Sequence, residues 1–470
     1  MTILEQLSDI VGPQYVLTGD AATPYLTDWR KTHTGRALAV VQPASTQQTA
    51  DIIRLCSRNA VPIVPQGGNT GQVAGATPDE SGQAVVLHTG RLNRVREIDP
   101  LNNTMVVEAG CVLQKVQDAA RAAGRLFPLS LGAEGSCFIG GNLATNAGGT
   151  QVLSYGNARE LVLGLEVVLP NGDIWNGLRQ LRKDNTGLSL RDLFVGSEGT
   201  LGVITAAVLR LYPLPHAEHA AFLALRDIES AAEVFRRARE RFHFTLTGFE
   251  LMSDACLTLV TETFPQLRSP FQLEAGAQDG CFALLEVAEH EQAEGVQAAL
   301  EDFCTGLWEG GWLQDAAIAT SETQRREFWT LRESITLALA TAGYCVKHDI
   351  SLPIAKIPEF VHQNALQLAA TFPQARLMVF GHLGDGNLHY NVLLPDSEST
   401  AWTSLEASIQ KCVHDHVARL GGSISAEQGI GSKRRGDLET YKSPLELRLM
   451  RAIKQAIDPT GIMNPGKLIT

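Results

Sequence analysis

The chain has 470 residues, 44% of them hydrophobic and 19% charged, with a formal net charge of −12 at pH 7. At roughly 100–200 residues per domain, that length predicts two or three packed units with ample apolar surface for their cores. The acidic balance, broken by no basic run longer than Lys433–Arg434–Arg435, excludes bulk nucleic-acid binding, and there is no run of about 18 apolar residues to span a membrane.

The first segment, "MTILEQLSDIVGPQ", is acidic and lacks a basic stretch before a long apolar run, so it does not read as a signal peptide. "STQQTADIIRLCSRNA" (45–60) has a serine cap and a helical apolar period. "VPIVPQGGNTGQVAGATP" (61–78) predicts a short strand running into a glycine-rich loop. "QAVVLHT" and "TMVVEAGC" are β-branched strand candidates, and "VLQKVQDAARAAG" (112–124) is a helix ended by Gly124. "ARELVLGLEVVLPNGDIWN" (158–176) reads as strand, Asn-Gly turn, strand. "GTLGVITAAVLRLYPLP" (199–215) is a further strand, and "YPLPHAEH" marks a domain boundary. Beyond it, 227–242 and 321–343 are amphipathic helices, with strand candidates such as "GCFALLEVA" (280–288) between them. The last fifty residues read as helical with a Pro/Gly-rich tail. The fold class is therefore α+β in at least two domains. The eight cysteines form no C-x-x-C pair and no disulfide framework. They read as reduced, mostly buried thiols of a cytoplasmic protein, with no iron–sulfur cluster.

Three glycine-rich loops stand out. "PQGGNTG" (Pro65, Gln66, Gly67, Gly68, Asn69, Thr70, Gly71) follows a strand, but it is neither a P-loop nor a Rossmann turn. Alone it is as consistent with a structural turn as with a ligand loop. "GAEGSCFIGGNLATNAGG" carries Gly132, Ser136, Gly140, Gly141, Asn142, Thr145, Gly148 and Gly149. Each glycine adds to the entropy cost of folding, so packing does not favour such a cluster. Backbone amides and small hydroxyls suit a pyrophosphate and a ribityl chain. "GSEGTLGVIT" adds Glu198, Gly199, Gly202 and Ile204. Three such loops favour a dinucleotide site over three unrelated turns.

These loops, together with "LRKDNTG", resemble the FAD domain of flavoproteins of the vanillyl-alcohol-oxidase type. "GHLGDGNLH", "SAEQGIG" and "NPGK", which contains Asn464, resemble the D-2-hydroxyacid dehydrogenase branch of that family, in which D-lactate and D-2-hydroxyglutarate enzymes fall. The resemblance runs from about residue 35 to the C-terminus. It implies a PCMH-type FAD-binding domain of two α+β subdomains (1–215) and an α+β cap domain with an antiparallel sheet (216–420). A C-terminal helical segment (421–470) would return beside the FAD domain. Some relatives attach FAD through a histidine near the first loop. "PQGGNTG" offers none, so FAD is expected to be non-covalent.

"RLMVF" and "HYNVLL" are strand-like, with "GDGN" as the turn. A four-residue loop Gly384–Asn387 would set Leu383 against Leu388 and His382 against His389, close enough for both imidazoles to reach one divalent cation. Asn391 shares their face, and Glu427 can supply a third ligand, leaving open positions as in a catalytic site. The bland alternative is two hairpin histidines packed on each other. By resemblance, His382, His389 and Glu427 hold a divalent metal, commonly zinc. A 2-hydroxyacid chelated there would have its hydroxyl pKa lowered and would pass a hydride from Cα to flavin N5.

The family motif "AEHGIG" is here "AEQGIG". Gln428 takes the place of the expected histidine base and cannot accept a proton near neutral pH. His348 is one substitute; it reads equally well as a strand histidine. Arg332 and Thr336 lie four apart on a helix face, and Lys347 follows in "CVKHD". By resemblance to the hydroxyglutarate enzymes these three positions contact substrate carboxylates, with Asn391 beside them, and two cations mildly favour a dicarboxylate. Two other functions stay open: a flavin-binding subunit of a glycolate-oxidising complex, and a redox-neutral transferase. The electron acceptor is left open among an electron-transfer flavoprotein, a quinone and a soluble carrier, as is a homodimer.

Overall fold

The computed structural model describes residues 1–271, 280–290, 295–394 and 399–469. Its contacts group the chain into two units. One comprises 1–148, 156–214 and 427–470; the other comprises 149–155 and 215–426.

The first unit holds two main sheets. In the four-stranded one the order is Val16–Leu17, Ala39–Val41, Val85–His88, Ile63–Gln66, and the last three run parallel. Parallel neighbours need a crossover. The helix Thr46–Arg58 carries the chain from Ala39–Val41 to Ile63–Gln66, on the far side of Val85–His88, and is capped by Ser45 Oγ on the Gln48 N–H at 3.1 Å, with Ile52, Ile53 and Cys56 fully buried. The five-stranded sheet is antiparallel, in the order Val95–Asp99, Thr104–Glu108, Val203–Arg210, Val162–Val168, Ile174–Gly177. The Asn-Gly turn forms as expected, with Gly172 at φ +83°. The first part of the predicted strand does not: Ala158–Leu161 is a helical turn. Asn157 and Glu160 form a capping box there, and reciprocal capping outweighs strand propensity over so short a run. The second glycine cluster is likewise partly helical, over Ile139–Ala144. Met463 forms a parallel bridge to Ile63, whose N–H donates to Ile462 O while Ile63 O accepts from the Asn464 N–H at 2.7 Å.

The second unit is built on one antiparallel sheet. Its order is Leu313–Ile318, Ala217–Leu225, Cys281–Glu289, Leu246–Ser253, Arg376–His382, Asn387–Leu394, Tyr344–Val346, with Asp349–Ser351 also paired to Asn387–Leu394. Helix Glu322–Thr341 buries Phe328, Leu331 and Ile335 with Met252, Met378, Phe380 and Leu393 in one apolar cluster.

The hairpin register differs from the sequence expectation. Phe380, not His382, is the partner of His389, and His382 pairs on its other edge with Glu250. Gly381 has φ +152°, and a Cβ there would stand 2.5 Å from Asn387 O. The strands thus pack closely at Gly381, and the connection is a 3₁₀ turn over Leu383–Asp385 closed by Gly386 at φ +85°, so the four-residue loop is Leu383–Gly386 rather than Gly384–Asn387. His382 and His389 become diagonal rather than opposed neighbours.

Candidate functional site

The glycine loops of the first unit meet through close backbone approaches that a side chain would prevent. A Cβ on Gly68 would lie 2.1 Å from Ser136 O and 3.0 Å from Cys137 Cα. Gly199, at φ +72°, packs against Pro65. Glu198 N–H donates to Ala144 O at 2.8 Å, tying the third loop to the helix inside the second. Next to these contacts, a Cβ on Gly71, Gly132 or Gly141 would meet nothing within 4 Å, and Gln66 Oε1, Asn142 Oδ1 and Asn464 Oδ1 are buried without a hydrogen-bond partner. Open backbone beside buried acceptors is what a polyhydroxyl and phosphate ligand requires, so the residues fit FAD.

Four of the predicted cofactor contacts have structural work as well. Glu198 gives one carboxylate oxygen to Ile430 N–H at 2.8 Å and the other to Gly431 N–H at 2.7 Å. Burial pushes its pKa up, against those two donors and the charge of Lys467. Asn464 Nδ2 donates to Gly75 O and Glu198 O. Thr145 Oγ1 bonds Gly141 O within the helix, and Ile204 is a buried ladder residue paired with Val167. Gly148 and Gly149 fall on either side of the division between the units. His88, not singled out from the sequence, packs edge-on between Tyr25 and Phe138 and accepts the Gly90 N–H; burial lowers its pKa to about 4.

In the second unit, register and alternation assemble the other candidates. Glu250 pairs with His382, Phe380 with His389, and Met378 with Asn391. Val346↔Val392 and Asp349↔His389 hold one continuous register, which sets Lys347 opposite Asn391. Side chains alternate along a strand, so Glu250, His382, Phe380, His389, Asn391 and Lys347 share one face. His348 lies on the other face. It is buried, its Nδ1 is 2.8 Å from Tyr390 O, and its ring meets His414 edge-on. Its role as substitute base is thereby corrected: it is a buried histidine between the strands Tyr344–Val346 and Asp349–Ser351, turned away from His389.

The His382 and His389 rings lie 5.5 Å apart at 80°. Ala426 N–H donates to Asp349 O beside His389, and Glu427 is the next residue. One ligand atom from each of His382, His389 and Glu427 lies within 4.8 Å of the other two, which makes them the one candidate metal group among the described residues. Two imidazoles and a carboxylate suit a borderline divalent ion such as zinc. Gln428 follows, half-buried.

On this face the Glu250 side chain is 1% exposed. It accepts from His382 Nδ1 at 2.7 Å and from Arg332 Nε at 2.9 Å, with Arg332 Nη2 at 2.8 Å. Burial works to raise its pKa, but His382 and Arg332 outweigh that and hold the carboxyl below its usual range. Arg332 is thus buried, over the Phe380 ring at 4.9 Å, while Thr336, one turn on, is exposed. Nothing in the sequence marked Glu250, because it sits within "LTGFELMS", an apolar strand 82 residues from Arg332.

A family model described as "FAD linked oxidases, C-terminal domain" matches residues 214–468, and one described as "FAD binding domain" matches 37–177. The chain is 38% identical to the mitochondrial D-2-hydroxyglutarate dehydrogenase of Bos taurus, over 99% of this chain and 83% of that protein. It is also 38% identical to the D-2-hydroxyglutarate dehydrogenase of Xanthomonas citri pv. viticola, over 94% and 92%. Among solved structures, p-cresol methylhydroxylase with substrate bound shares the fold at TM-score 0.76 and 17% identity, covering 99% of this chain and 96% of that one. Identity sustained over nearly the whole chain, on the two-part fold described above, shows that the protein belongs to the FAD-linked oxidases, in the branch that contains the D-2-hydroxyglutarate dehydrogenases.

Proposed function

We propose that the protein oxidises a D-2-hydroxyacid to the 2-oxoacid, with D-2-hydroxyglutarate favoured and D-lactate or a similar acid next. The reading is carried by one observation: a near-full-length relationship to D-2-hydroxyglutarate dehydrogenases in a chain that gathers His382, His389 and Glu427. FAD, when bound, supplies the hydride acceptor. A divalent cation held by those three residues, zinc foremost, supplies Lewis acidity toward the substrate hydroxyl. The protein's own task is placement. Lys347 and Asn391 face the substrate from the sheet. Arg332, fixed through Nε and Nη2, offers its remaining N–H edge to a carboxylate. Two cationic anchors on this face suit a dicarboxylate better than a monocarboxylate. Gln428 orients the substrate by hydrogen bonding, and the hydroxyl proton leaves to water.

No helix among the described residues is long and apolar enough to cross a membrane. Six of the eight cysteines are buried, in keeping with reduced thiols of a cytoplasmic protein, although the bovine relative carries a mitochondrial designation. The test is a panel of D- and L-2-hydroxyacids offered to the purified protein with an artificial electron acceptor, with and without chelator. D-2-hydroxyglutarate should bleach the flavin of the isolated chain anaerobically and turn over fastest, and chelator should suppress turnover. A flavin-replete protein that no D-2-hydroxyacid bleaches would overturn the assignment.

A further inference from the structure

We infer that Glu250 is the positioning residue of the metal centre. It fixes His382 so that Nε2 is the ligand atom, and it locks Arg332 in place through the same carboxylate. This rests on the metal reading above. His382 Nδ1 is 2.7 Å from Glu250 Oε1, and both Arg332 contacts fall on Oε2, so each carboxylate oxygen has its own partner. An imidazole that donates Nδ1–H to a carboxylate has its tautomer fixed, its ring orientation set and its Nε2 made more basic. All three side chains are less than a tenth exposed. A buried carboxylate needs a balancing charge, and the permanent cation of Arg332 provides it. The result is a chain of contacts, from candidate metal ligand through Glu250 to candidate substrate cation.

The test titrates Co²⁺ into the metal-depleted, flavin-bound full chain and follows the visible d–d absorption of the bound ion. Glu250→Gln keeps an acceptor for Nδ1–H but removes the charge, and Glu250→Leu removes both. We expect the Co²⁺ dissociation constant to rise about 10–100-fold in Glu250→Gln, and further in Glu250→Leu, with a shifted d–d band. Arg332→Met leaves Glu250 on His382 and should hold Co²⁺ within about threefold of the unsubstituted chain by the same reasoning. The Glu250→Gln/Arg332→Met double variant restores charge balance without restoring the carboxylate. It should fold, as judged by its melting temperature, yet bind Co²⁺ as weakly as Glu250→Gln. Recovery of Co²⁺ affinity in the double variant, or an unchanged affinity in Glu250→Gln, would overturn the role of Glu250 while leaving the metal site standing. If His389→Ala binds Co²⁺ as the unsubstituted chain does, the metal reading fails, and this inference falls with it.

Discussion

Glu250 and His382 are 132 residues apart in sequence and 2.7 Å apart in space, and that gap marks what could be read at the scale of single residues. His382, His389 and Glu427 were legible because ligand-type side chains stand in short glycine-rich motifs. Glu250 was not, because an isolated acid in an apolar strand carries no local sign of its partners. The loss of the expected histidine at Gln428 was equally plain in the sequence, and it leads to a prediction. Gln428→His should introduce an ionisation near the reference value of ~6.5 in the kcat/KM profile, with rate falling below it as the new imidazole is protonated. An unchanged profile across several hydroxyacids would place position 428 away from the transferred proton. His382→Ala should cut turnover at least 100-fold, by the ordinary magnitude of a lost metal ligand or catalytic group, with the flavin absorption spectrum unaltered; retained turnover in metal-analysed protein would count against the ligand set. His88 titrates in the opposite sense to a paired histidine. Its folded pKa of about 4 lies below the unfolded ~6.5, so the unfolded chain binds the extra proton between those values. Stability is full above pH 6.5 and falls by up to about 1.4 kcal/mol per pH unit toward pH 4. Urea midpoints at pH 7 and pH 5 should therefore converge in His88→Asn relative to the unsubstituted chain.

Elements were legible where a local signal decided them. The serine-capped helix Thr46–Arg58 and the turn at Gly172 follow from side chains acting within a few residues. The "GDGN" turn was visible too, but its register was not. Gly381 adopts φ +152° because Asn387 and Leu388 crowd it from the next strand, and that pressure is tertiary. The same distinction separates two glycines of the first loop. Gly68→Ala sets a Cβ 2.1 Å from a backbone oxygen. It should force the loops apart, costing about 1–3 kcal/mol and lowering both the melting temperature and the flavin content. Gly71→Ala meets nothing within 4 Å and has no positive φ. It should leave the apoprotein as stable as before and weaken FAD binding alone. Thermal melts of apo and FAD-loaded forms check both. Equal effects of the two substitutions would mean that the first loop is a structural turn rather than a cofactor cradle.

At the scale of the whole molecule, the alternation of helix and strand signals gave the fold class, while the pairing of distant segments had to come from the structure. Asn464 holds Gly75 and Glu198 from the far end of the chain, and Met463 bridges to Ile63. A chain shortened by residues 460–470 should therefore lose its flavin, measured as the 450 nm absorbance retained after gel filtration relative to the full chain (about the region where oxidised flavins absorb). Retention would show that these contacts do not secure the FAD unit. The interleaving of the first unit around the second also sets an order of events during synthesis. A ribosome delivers residues from the N-terminus onward. The strands, loops and acidic clamp of the first unit must wait, unfinished, while all of the second unit is made. Long-range closure of this kind is slow, and exposed parallel strand edges invite misassembly meanwhile. The nascent protein thus depends on the second unit folding promptly and keeping the two separated parts of the first within reach, so that flavin capture becomes a late event in its biogenesis.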